Sequence, residues 1–72
     1  MTKDQFNALV KLMRGKPDSP ANLAARAVLV GGASQADAMR QFGVTRSTVG
    51  DAVRRYAEVH ELLQKVYASR GV

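Results

Sequence analysis

The sequence predicts an all-α fold: a small helical domain with a helix-turn-helix and an extended C-terminal helix. Three observations lead there. Glycine and proline cut the 72 residues into four pieces, with breaks at Gly15-Lys16-Pro17-Asp18-Ser19-Pro20, at Gly31-Gly32-Ala33 and at Gly43. Apolar residues recur three and four apart, which is one face of a helix. Serine or threonine stands at each expected helix start, where its side chain can cap the free backbone N–H groups. At this length the chain is one domain, residues 1–72.

The first piece runs from Thr2 to Arg14. Thr2 and Gln5 fit a capping box. Phe6, Leu9, Val10 and Met13 make its apolar face. Lys11 and Arg14 suit the negative end of the helix dipole, and Gly15 is the expected residue just past the end. The second piece starts at Ser19 with Pro20 in the first helical position. Leu23, Ala24, Ala27, Val28 and Val30 leave it apolar on most sides, so it is the expected central helix, and Gly31 stops it. The third, Ser34 to Phe42, is short. Ser34 caps it, Asp37 takes the capping-box position, and Ala38, Met39 and Phe42 face inward. The fourth starts with Thr45 as cap and meets no breaker before Gly71. Either one helix from Arg46 to about Ser69 or two with a bend near Ala57 would fit. No residue forces a bend, and the continuous helix is the expectation, with Gly50 costing about 1 kcal/mol inside it.

Residues 34–56 read as the helix-turn-helix. Ala38 and Met39 are small or slender enough for two helices to touch. Gly43 permits the positive φ of the turn, Val44 plugs the core behind it, and Val49 and Val53 pack the second helix on the first. At 100° per residue, Val49, Ala52, Val53 and Tyr56 fall on one side of that second helix. Arg46, Ser47, Gly50, Asp51 and Arg54 fall on the other.

That outer face carries chemistry suited to DNA. Arginine binds guanine O6 and N7 bidentately, and aspartate accepts from cytosine N4. Gly50 lets a helix backbone approach a groove wall. Thr45 and Ser47, at the positive end of the helix, suit a phosphate. Arg55 flanks the face as a phosphate contact. Gln35, Arg40 and Gln41 on the preceding helix are candidates for holding the DNA backbone. Each assignment has a plainer competitor: solvated arginines, Thr48 merely supporting the helix start, and Asp51 paired with Arg54 or Arg55.

With these residues in view, a resemblance emerges. Thr2 to Phe6, Ala27-Val28-Leu29-Val30-Gly31-Gly32-Ala33-Ser34-Gln35-Ala36 and Gly43-Val44-Thr45-Arg46-Ser47-Thr48-Val49-Gly50-Asp51-Ala52-Val53-Arg54-Arg55 resemble the KorA (TrfB) family of plasmid-encoded repressors. The resemblance spans most of residues 2–56 and stops after Tyr56. It implies binding of a palindromic operator as a dimer, and repression of plasmid replication, maintenance and transfer genes. It also implies contact roles for Thr45 and Arg46. Asp51 stands where the family has a glutamine, so the resemblance does not imply the same operator. The family also carries a separate C-terminal dimerisation segment, for which this chain is too short.

Residues 57–70 are expected to extend the helix and to form a dimer seam. Ala52, Tyr56, Val59, Leu63 and Val66 recur at spacings of 4, 3, 4 and 3, about two heptads. His60, Leu63 and Tyr67 are expected to face the chain's own core, and Val59, Leu62 and Val66 a partner. Leu63, at the boundary, is counted with the dimerisation residues. A 72-residue chain buries only about 60% of its unfolded surface, so dimerisation would add needed burial.

Composition narrows the rest. There is no cysteine and one histidine, His60, so neither a disulfide nor a structural zinc site is expected. No nucleophile–base pair is evident, and an enzyme or a bound cofactor is not expected. No apolar run approaches a membrane span and no signal-type segment opens the chain, so a cytoplasmic location is expected. The net charge of +5 and pI near 10.3 favour double-stranded DNA, read in the major groove, as partner. The competing functions are a DNA-targeting accessory of a recombination or transposition system, and a helical adaptor that binds no DNA.

Overall fold

The computed structural model describes residues 1–16 and 18–70, with side-chain surroundings described through residue 67. Four helices follow in order: α1 (Lys3–Leu12), α2 (Pro20–Leu29), α3 (Gln35–Phe42) and α4 (Arg46–Arg70). Among the described residues there is no strand. The 25-residue α4 is unbroken. It is about 37 Å long at 1.5 Å per residue, which accounts for the 43 × 21 × 19 Å envelope.

The predicted start signals all form. Thr2 and Gln5 make a reciprocal capping box, with bonds of 2.8 and 3.1 Å. The Ser19 hydroxyl accepts from the Asn22 N–H, with Pro20 opening α2. Ser34 caps α3 by accepting from the Asp37 N–H at 3.1 Å. Asp37 does not close a box, because its carboxylate pairs with Arg40 instead.

The end of α1 differs from expectation. The helix stops at Leu12, and Arg14, not Gly15, takes the left-handed conformation at φ 56°. Arg14 N–H donates to the Lys11 carbonyl, and Gly15 N–H to the Val10 carbonyl at 2.9 Å. This is a Schellman end set one residue earlier than the glycine suggests. Tertiary packing explains the shift. A Cβ on Gly15 would stand 2.6 Å from the Tyr56 hydroxyl, so glycine is needed here for close approach.

Helix α2 is central, as expected, and packs against the other three helices. Its neighbouring residues Ala24 and Ala25, both fully buried, face two different clusters. Ala25 joins Phe6, Leu9, Val10, Ala52 and Tyr56, which bind α1 and α4 to it. Ala24 joins Ala38 and Val49, which bind α3 and the start of α4. Alanine's single methyl lets helix backbones approach closely at both places.

One polar group sits inside. Asn22 is buried and accepts from the Tyr56 hydroxyl at 2.9 Å, while its amide donates to the Lys16 carbonyl at 2.5 Å. Among the described residues no buried side-chain polar atom lacks a partner. The Tyr56 ring also packs on Phe6, centroids 5.0 Å apart. Tyr56 therefore fixes the middle of α4 to both α1 and α2, and Asn22 carries the connection on to the loop before α2.

Candidate nucleic-acid interface

Helices α3 and α4 are joined by a three-residue turn, as a helix-turn-helix requires. Gly43 takes φ 65°, ψ 35°, and its N–H donates to the Met39 carbonyl at 2.9 Å. A left-handed turn residue costs about 1–2 kcal/mol with any side chain, so glycine suits this position. Val44 N–H reaches the same carbonyl at 3.3 Å. Its side chain packs with Met39 and Phe42 on the Ala24–Ala38–Val49 cluster. That cluster fixes the first turns of α4 against α3.

Thr45 caps α4. Its Oγ1 accepts from the Thr48 N–H at 3.2 Å and lies 2.8 Å from the Thr48 hydroxyl. Thr48 is half-buried, in the supporting place expected for it. Val49, Ala52 and Tyr56 are buried on the inner side of α4. Thr45, Arg46, Ser47, Asp51, Arg54 and Arg55 are exposed, and so is Gln35 at the start of α3. Gly50 departs from the rest of the outer stripe. It is half-buried, and a Cβ there would lie 3.7 Å from Gln35 Oε1. Arg46 and Gln35 line one shallow groove with Ala36 and Met39. Gln35, expected from its position on α3 to hold the DNA backbone, stands beside Gly50; that placement depends on how α3 crosses α4, which no local pattern encodes.

The charges on this face are unequal in availability. Asp51 accepts from Arg54 Nη2 at 3.1 Å, so the plainer reading of Asp51 is realised in the free protein. Both side chains are mostly exposed, and such a pair is worth about 0–1 kcal/mol. A phosphate can therefore displace it. Among the described residues Arg46 and Arg55 have no acidic partner. Together with the free N–H groups at the helix start, the face is electropositive and ready for an anion. Arg40 and Gln41 are exposed on α3, Arg40 already paired with Asp37.

The distal half of α4 corrects the expected division of its apolar residues. Val59, assigned to a partner, packs on the chain's own core, and so does Leu63. Tyr67, assigned to the core, is 65% exposed. Leu62 and Val66 are exposed at 60% and 44%, on the side expected to face a partner. The cause is the path of α1. It covers the Val59–Leu63 strip, while Tyr67 stands at the rim of a groove with Leu12 and His60.

Among the described residues no cluster of His, Cys, Asp and Glu could hold a metal ion. No described helix is long and apolar enough to cross a membrane. No curated protein and no solved structure matches the chain. A family profile does: that of the TrfB plasmid transcriptional repressors, over residues 1–67. The match continues past Tyr56, beyond the resemblance expected from the sequence motifs, and takes in most of α4. The chain belongs to the KorA family of TrfB plasmid transcriptional repressors.

Proposed function

We propose that this repressor binds a palindromic operator as a dimer, with the first turns of α4 lying in the major groove. One observation carries the reading. The exposed stripe at the positive end of α4 presents Arg46, with no acidic partner among the described residues, on the same helix as Arg54 and Arg55. In this reading Arg46 contacts a guanine. Thr45, Ser47 and Arg55 hold phosphates, and Arg54 leaves Asp51 for a phosphate when DNA is bound. Asp51, released from Arg54, is then free to accept from a cytosine.

The dimer seam centres on Leu62 and Val66, the exposed apolar residues on the partner-facing side of distal α4. Leu62 lies sixteen residues beyond Arg46, about 24 Å along the helix. In a dimer joined there, the two reading ends must stand about 34 Å apart, one turn of DNA, or a multiple.

Selection of bound sequences from a random duplex pool tests this reading. The expected product is an inverted repeat with half-site centres about 10 bp apart, or a multiple. Leu62→Glu is expected to leave the preferred half-site unchanged while weakening two-site binding at least tenfold. A product without symmetry rejects the dimer. A pool returned without enrichment rejects sequence-specific binding.

A further inference from the structure

The outer face of α4 has a gap in its row of side chains at Gly50, and the gap is occupied from the neighbouring helix. Gln35 Oε1 lies 3.7 Å from where a Gly50 Cβ would be, which is ordinary van der Waals contact. Gly50 follows Arg46 by one helical turn, and Arg46 shares a groove with Gln35. The glutamine therefore stands in the stripe at the place where α4 itself has no side chain.

Apart from Arg46, several polar groups around it are engaged within the free protein. Thr45 is a cap, Asp51 and Arg54 hold each other, and Asp37 and Arg40 hold each other. Among the described residues the Gln35 carboxamide makes no hydrogen bond, although it begins α3 beside a well-formed cap. A carboxamide has both a donor and an acceptor on one planar end. Adenine displays the matching pair, N6–H and N7, in the major groove. A neutral amide can also bind a phosphate, but that contact would use one donor and carry no sequence information.

We propose that Gln35 is a specificity-determining residue that reads an adenine from α3, through the notch left by Gly50, next to the base contacted by Arg46. This rests on the DNA-binding reading above. With no side chain at Gly50, the Gln35 carboxamide takes that place in the stripe. The reading surface is thus built from two helices, and the side chain on α3 supplies the base preference at the Gly50 position.

The test compares the wild-type chain with Gln35→Ala, Gln35→Glu and Gly50→Leu. Each is measured against the selected operator and against every single-base-pair change within one half-site. Gln35→Ala is expected to flatten the preference at one position by roughly 5- to 150-fold, leaving the others intact. Gln35→Glu should move that position from adenine toward cytosine, whose N4 donates to a carboxylate. Gly50→Leu fills the notch with a good helix former and should lose the same preference while retaining the guanine read by Arg46. A uniform loss of affinity for all sequences with Gln35→Ala would assign Gln35 to the phosphates and overturn the proposal, as would no change. If the wild-type chain discriminates among duplexes and Arg46→Ala does not, such a result removes the role of Gln35 alone. If the wild-type chain discriminates among none, the DNA-binding reading fails with it.

Discussion

Phe6→Ala is expected to lower the stability of the domain by about 3–5 kcal/mol. Phe6 is 2% exposed and packs on the Tyr56 ring at the junction of α1, α2 and α4. A domain of this size has a total stability of roughly 4–11 kcal/mol. The variant should therefore be partly unfolded at 37 °C, visible as lost helical signal and a lowered urea midpoint. Leu12→Ala is the control. Leu12 lies on the same helix but is 65% exposed, and its loss should change stability by less than about 0.5 kcal/mol. Operator DNA binds only the folded form, so adding it should restore part of the helical signal of Phe6→Ala. Equal effects of the two substitutions would contradict the packing described here.

Arg46→Ala is expected to weaken operator binding by about 10- to 150-fold and to relax the preference at the guanine it contacts. Arg46 is exposed at the first position of α4 and bonded to no acidic residue among those described, so its removal should leave stability within about 0.5 kcal/mol. Arg55→Ala offers a contrast. As a phosphate contact it should weaken all duplexes alike and reduce the salt dependence by about one counterion. Titrations of matched and mismatched duplexes at two salt concentrations separate the two behaviours. If Arg46→Ala weakened all duplexes equally, Arg46 would be a phosphate contact and not a reader.

Much of this architecture is legible in the sequence because it is decided locally. A cap needs only the right side chain three residues before an N–H, which is why Thr2, Ser19 and Ser34 mark helix starts correctly. Gly43 marks the turn because positive φ is a property of one residue. The all-α fold and the unbroken α4 follow from such signals. The end of α1 does not. Its position depends on Gly15 meeting Tyr56, a contact across forty-one residues. Asn22 was also illegible, since a polar residue in an apolar helix reads as exposed until a buried hydroxyl 34 residues away is seen to bind it.

The candidate interface divides in the same way. Periodicity places Arg46, Ser47, Asp51 and Arg54 on the outer side of α4, and all four are exposed there. Periodicity cannot show that α3 brings Gln35 up to Gly50, nor that Asp51 is held by Arg54. The apolar seam shows the limit most clearly. A heptad pattern finds the apolar residues of α4, but the position of α1 decides which are covered. Val59 packs partly on the chain's own core and Tyr67 stays exposed for that reason.

In the proposed reading the first turns of α4 form the surface that meets DNA. Titrating the labelled chain with its selected operator, and following backbone amide shifts residue by residue, tests it most directly. The largest changes are expected at Gln35 and between Thr45 and Arg55, with α1 almost unaffected. Changes concentrated on α1 or α2, with residues 45–55 unperturbed, would contradict it.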